Sequence, residues 1–199
     1  MKQKTKNQEA NQHLTTTTSD KRGLPWWSWL AILLPVAALS AVVLAGLEEP
    51  EGSAVGTAAS DFNLLATDGS RYDLDSVLED GDALLYFSMG PGCDGCFMQI
   101  MEAEDALASR GIKLVPIMVN SAVVVAGEAQ RYGVSTPILV DSDQEVSNAY
   151  GMIGIYGHQD RPSHSFALVD QNRQVTWVRH YAEMYVPAEQ LLADLDGGT

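Results

Sequence analysis

Leu84-Leu85-Tyr86-Phe87-Ser88-Met89-Gly90-Pro91-Gly92-Cys93-Asp94-Gly95-Cys96-Phe97 is the stretch that decides how this 199-residue chain is read. Asp82 to Ser88 holds a short apolar run, suited to a buried strand. Gly90-Pro91-Gly92 breaks the run. Residues 94 to 109 then carry Phe97, Ile100, Met101 and Leu107 at helical spacing. Two cysteines, three positions apart, therefore stand where a strand hands over to a helix. At a helix start, unpaired N–H groups and the helix dipole stabilise a thiolate. A thiolate is the attacking species in disulfide exchange, and a second thiol at this spacing resolves the mixed disulfide.

The chain holds no third cysteine, so neither thiol has a distant structural partner. Two other readings stay open. A zinc pair needs two more ligands, and the body offers only His158, His164 and His180, with no second Cys-x-x-Cys. A purely structural local disulfide is the other. Asp94 adds a carboxylate beside the nucleophile, which raises a thiol pKa and offsets part of the helix effect. The expectation is a Cys93 less acidic than in strongly oxidising thiol pairs, and a pair that favours reduction of its partners.

The rest of the body, from Asp61, alternates strand-like and helix-like segments, the pattern of an α/β or α+β sheet domain. Lys113 to Val119 reads as a strand, with Pro116 pointing to an edge or a bulge. Ala122 to Tyr132 reads as a helix ended by Gly133, and Pro137 to Val140 as a brief strand. Ser142 with Glu145, and Ser76 with Glu79, fit capping boxes opening short helices. Ser165 to Asp170 and Gln174 to Tyr181 read as two strands joined by Gln171-Asn172-Arg173. Pro187 opens a last helix.

Towards the N-terminus the character changes. Residues 1–23 are polar and without apolar periodicity, which predicts a disordered tail. Residues 24–47 follow, and Trp26 to Leu47 carry no charge over about 22 residues, enough to cross a bilayer as a helix. Trp26, Trp27 and Trp29 sit at the start, at headgroup level. Pro35 inside the span is tolerated in membrane helices. Lys21 and Arg22 precede the span, while Glu48, Glu49 and Glu51 follow it. The positive-inside rule then places the tail in the cytoplasm and the body outside the membrane. A cleaved signal peptide, cut near Ala45-Gly46-Leu47, leaves the body on the same side, although the apolar stretch is long for one. No cysteine stands just after the span, which argues against a lipoprotein. Residues 48–60 read as a flexible linker, and 61–196 as the domain.

Charge divides along the same line. Before Glu48 there are five basic residues against two acidic; from Glu48 onward there are seven against twenty-four. Such an acidic body argues against a nucleic-acid partner, which requires a basic footprint. It fits solubility or a salty medium.

These residues together resemble the thioredoxin-fold superfamily, and within it the redoxin group, or AhpC/TSA domains, in a membrane-tethered form. The resemblance spans roughly Asp61 to Leu195. It rests on Asp61-Phe62-Asn63-Leu64 with Asp68-Gly69, Leu84-Leu85-Tyr86-Phe87, Pro91-Gly92-Cys93-Asp94-Gly95-Cys96 and Pro137-Ile138-Leu139-Val140-Asp141. Asp143-Gln144-Glu145-Val146, Ala149-Tyr150-Gly151 and Ser165-Phe166-Ala167-Leu168-Val169-Asp170 complete it. It implies a thioredoxin-like α/β fold, a central mixed sheet flanked by helices, with Cys93 and Cys96 as a redox-active disulfide. Peroxidases of the group carry Pro-x-x-x-Thr/Ser-x-x-Cys; here Tyr86 and Gly90 take the Pro and Thr places. Thioredoxin-like reductases usually have Trp where Gly92 stands, and tethered relatives often have Glu where Gln99 stands. The superfamily also sets a cis-proline beside the cysteines, for which Pro162 is the candidate, in Arg161-Pro162-Ser163-His164. Arg161 is alternatively the anion-stabilising arginine of peroxidases, or part of a plain turn. His164 is either a proton carrier near the thiols or a satisfied core side chain. Trp177, Tyr181 and Tyr185 read as packing residues.

The expected function is a thiol–disulfide oxidoreductase outside the membrane. Cys93 attacks, Cys96 resolves, and no bound cofactor is needed. The implied partners are a disulfide-bearing exported protein, docked on apolar surface around Phe97 and Pro162, and an upstream membrane thiol reductant. A thiol peroxidase with the same cysteines is the alternative. A copper-binding protein using Cys93, Cys96 and a histidine is a second.

Overall fold

The computed structural model describes residues 55–158 and 160–197. The segments read as tail and membrane span, and residues 48–54 of the segment read as linker, lie outside the described residues. Among the described residues no helix is long and apolar enough to cross a membrane.

Seven strands form one mixed sheet, in the order β2-β1-β5-β4-β3-β6-β7. The chain enters through β1 (Asn63–Ala66) and β2 (Arg71–Asp73), an antiparallel pair, and passes α1 (Leu74–Leu78) to β3 (Asp82–Ser88). Helix α2 (Asp94–Ala108) leads to β4 (Ile112–Met118), parallel to β3. Helix α3 (Ala122–Tyr132) leads to β5 (Leu139–Val140), parallel to β4. Helix α4 (Glu145–Ala149) and a 3-10 turn (Ile155–Gly157) precede β6 (His164–Val169), β7 (Val175–Tyr181) and α5 (Ala188–Gly197). Strand β6 runs antiparallel to β3, and β7 antiparallel to β6.

β3 shows why the sheet is covered on both faces. Successive side chains of a strand point to opposite faces. Leu84 and Tyr86 join the core shared with Phe97, Ile100 and Leu107 of α2, while Ala83, Leu85 and Phe87 join the core shared with Val77 and Tyr150. Five consecutive β3 residues, Ala83 to Phe87, are fully buried, as the apolar run requires. The buried stripe of α2 is Cys96, Phe97, Ile100, Ala103 and Leu107, with Gln99 beside it. Met101, expected within this stripe, is 42% exposed instead; Ala103 takes its place.

Three local expectations are corrected. Pro116 lies in an interior strand, in register with Tyr86, because β5 pairs only with Ile117 and Met118. On that side no ladder partner reaches position 116, so the missing N–H is not needed there. Ser76 is the far half of a capping box rather than its cap: the Asp73 carboxylate accepts from Ser76 N at 2.8 Å, and Ser76 Oγ accepts from Asp73 N at 3.0 Å. Ser142 does not cap α4. The buried Asp141 carboxylate does that work, accepting from Val146 N at 3.2 Å, Ser147 N at 2.7 Å and Ser147 Oγ at 2.6 Å.

Residues 56–60, inside the segment read as linker, are docked. Gly56 N donates to Val175 O, Val175 N to Thr57 O and Ala59 N to Arg173 O, at 2.7, 2.9 and 2.8 Å. Ala58 bridges Gln174, and the Tyr150 hydroxyl donates to Ser60 O at 2.9 Å. At the other end of β7, the Tyr156 hydroxyl donates to His180 O at 3.4 Å.

Candidate active site

β3 ends at Ser88, and Gly90 and Gly92 take positive φ angles of 74° and 96° to turn the chain into α2. Cys93 is the N-cap of that helix, and its Sγ accepts from Cys96 N at 3.2 Å. The two cysteines are joined as a disulfide, with Cα atoms 5.4 Å apart. Cys93 is 6% exposed and Cys96 wholly buried, so a partner's sulfur meets Cys93 first. An open cavity of about 410 Å³ lies over the pair, lined by Met89, Gly92, Cys93, Asp94, Gly95 and Met184.

The helix start is held from two sides. A Cβ on Gly95 would lie 2.4 Å from Met184 O and 3.3 Å from Tyr185 Cβ, so only glycine lets the segment before α5 lie against α2 here. Tyr185 donates to Glu102, and Val186 N donates to Gln99 Oε1 at 2.8 Å. Gln99 is buried, and a neutral amide at that place avoids an unpaired buried charge. On the other side the Tyr132 hydroxyl donates to the Asp94 carboxylate, and the Tyr132 ring stacks on Phe97 with centroids 5.1 Å apart.

His164 lies inside, on β6. Its Nε2 is 2.8 Å from the Tyr86 hydroxyl, which itself donates to Cys96 O at 3.5 Å. The Tyr86 ring stacks on Phe166 at 4.6 Å. Burial lowers the His164 pKa from 6.5 to about 4, so the ring is neutral near pH 7. Burial likewise pushes the Tyr86 phenol well up and keeps it protonated.

Of the residues singled out in the sequence, Cys93, Cys96, Asp94 and Gly92 meet at the cavity, and His164 approaches the Cys96 backbone through Tyr86. Arg161 is exposed and does not line the cavity. Pro162 does not supply a cis bond: every described peptide bond is trans, and Pro162 is buried in an antiparallel bridge with Ile153. Phe97 and Pro162 form no exposed docking surface, because both side chains are buried in packing. The apolar side chains at hand are Met89 and Met184, with Met98 and Met101 exposed along α2. Tyr132, Met89 and Met184 were not singled out from sequence. Tyr132 and Met184 reach the site from other segments, so nothing local marks them, while Met89 stands in the turn that leads to Cys93.

The redoxin family pattern matches residues 54–189. The thiol-disulfide oxidoreductase ResA of Geobacillus thermodenitrificans is 28% identical over 149 residues, covering 72% of this chain and 80% of the relative. ResA of Bacillus subtilis is 29% identical over 104 residues, covering 50% of this chain and 57% of the relative. Among solved structures, peroxidoxin BcpB from Mycobacterium tuberculosis superposes with a TM-score of 0.62 at 24% identity, over 72% of this chain and 96% of that one, a likeness of fold. With the thioredoxin-like sheet and the disulfide at the start of α2 already in place, the match over more than half its length means that this chain belongs to the redoxin family.

Proposed function

We propose that this oxidoreductase exchanges disulfides through Cys93 and Cys96, on exported proteins, outside a membrane in which residues 26–47 anchor it. The observation that carries the reading is the pairing of a surface-reaching N-cap cysteine with a buried second cysteine at one helix start. In the reduced enzyme the Cys93 thiolate attacks a substrate disulfide, forming a mixed disulfide and releasing one substrate thiolate. Cys96 loses its proton and attacks Cys93 Sγ, which closes the Cys93–Cys96 bond and releases the second thiolate. Two electrons pass to the substrate, and a membrane thiol carrier returns them. The names of the two ResA relatives, thiol-disulfide oxidoreductases, support disulfide exchange as the chemistry. The charge switch around residues 24–47 supports the location.

The peroxidase alternative meets an obstacle at Gly90. A Cβ there would lie 2.7 Å from Asn120 Oδ1 and 3.3 Å from Met118 Cβ, and the φ of 74° disfavours a side chain, so no hydroxyl-bearing residue fits. The copper alternative lacks its histidine at the cavity: His164 is turned to Tyr86, and His180 Nδ1 is 2.9 Å from Ser165 Oγ.

Titrating the full-length protein against glutathione redox buffers, followed by hydrogen peroxide in stopped flow, separates these readings. A reversible two-electron couple with slow peroxide oxidation is the expected result. Peroxide consumption orders of magnitude faster than a free thiol refutes the proposal, as does a pair that does not cycle.

A further inference from the structure

Asp94 and Phe97 are one helical turn apart and face α3 together. Tyr132, the last residue of α3, meets both: its ring lies nearly parallel to Phe97, at 6°, and its hydroxyl reaches the Asp94 carboxylate. Packing of the ring thus delivers the phenol to the carboxylate. Among the described residues Asp94 is also the one charged side chain lining the cavity over Cys93. A carboxylate there opposes formation of a thiolate at Cys93, and a donor that fixes and disperses its charge relieves that opposition.

Other charges surround the contact. The Arg131 guanidinium lies 5.5 Å from the Tyr132 ring centroid and pairs with Glu128 at 3.4 Å. Across the helix start, the Glu102 carboxylate is engaged by Tyr185. The hydrogen bond to Asp94 raises the Tyr132 pKa, so the phenol stays a donor across neutral pH.

We propose that Tyr132 is a positioning residue of the exchange reaction, whose hydroxyl holds the Asp94 carboxylate on the α3 side of the helix start and so sets how readily Cys93 ionises. The inference rests on the exchange reading of the cysteine pair. It makes reactivity at Cys93 depend on a residue 38 positions away in sequence.

Tyr132→Phe keeps the ring and its stacking on Phe97 and deletes only the donor. The readout is the pH profile of Cys93 alkylation by iodoacetamide, in reduced full-length protein with Cys96→Ser so that one thiol reacts. Tyr132→Phe is expected to raise the midpoint by roughly half a pH unit, a moderate figure because the contact is exposed and screened. Asp94→Asn is expected to lower the midpoint, and to abolish the effect of Tyr132→Phe when the two are combined. An unchanged midpoint in Tyr132→Phe, or an equal shift with and without the Asp94 carboxylate, overturns the proposal. The wild-type couple is titrated in parallel. If Cys93 and Cys96 do not cycle, the exchange reading falls, and the alkylation profiles still decide what Tyr132 does to the thiol.

Discussion

The Tyr86 hydroxyl lies 2.8 Å from His164 Nε2, and both side chains are completely buried beneath the first turn of α2. A histidine so placed titrates low, at about 4 against an ordinary 6.5, because burial penalises its charged form. The unfolded chain therefore takes up a proton in a window where the folded protein does not. Stability from this source is flat above pH 6.5, falls as the pH drops from 6.5 towards 4, and is flat again below. The full loss is about 3 kcal/mol. Urea midpoints of wild type and His164→Gln at about pH 7 and pH 5 check this. The wild type is expected to lose more on acidification, and an equal loss in both refutes the assignment.

Asp141 ties the end of β4 to the start of α4: its own N–H donates to Met118 O at 2.9 Å while its carboxylate takes three donors. Asp141→Ala strips buried N–H groups of their acceptor and is expected to cost about 2–4 kcal/mol. Asp141→Asn keeps one acceptor oxygen and is expected to cost about half as much. Chemical denaturation of the two variants orders them; an Ala variant as stable as wild type rejects the role.

Gly90→Thr restores the hydroxyl residue found in peroxidases of this group, yet it is expected to give no peroxidase. Its Cβ meets Asn120 and Met118 on a backbone of positive φ. The expected result is a loss of about 1–3 kcal/mol with no gain in peroxide-dependent oxidation of Cys93. Stopped-flow oxidation alongside a melting curve tests both halves.

Burial orders the two thiols. Cys96→Ser leaves Cys93 able to attack and nothing to resolve, so a lasting mixed disulfide with a model disulfide peptide is expected. Cys93→Ser leaves only the fully buried Cys96, and no adduct is expected. Intact mass under non-reducing conditions distinguishes them; equal trapping by both variants refutes the order.

Most of the sheet was legible because its strands are apolar runs with clear ends. Asp82–Ser88 and Ala122–Tyr132 fall where the sequence places them, and Gly133 closes its helix with a φ of 72°. Pro116 misled, since the length of the neighbouring ladder is set by β5, a two-residue strand whose reach is not written near position 116. The capping boxes misled differently: Ser-x-x-Glu fits several frames, and Asp73 and Asp141 supply stronger acceptors nearby. The cysteine pair was readable because its chemistry is local. Tyr132 and Met184 were not, because packing of distant segments alone brings them to Asp94 and Gly95.

The docking of residues 56–60 has a consequence for assembly. β7 ends the sheet, and an uncovered outer strand offers its backbone to any other extended chain. Gly56, Thr57 and Ala59 occupy the entrance to that strand, and Tyr156 takes His180 O near its exit. The stretch between them carries exposed Thr176 and the charged Arg179, so sheet-to-sheet growth finds a template only a few residues long. The segment by which the chain enters the domain thus doubles as its guard against aggregation.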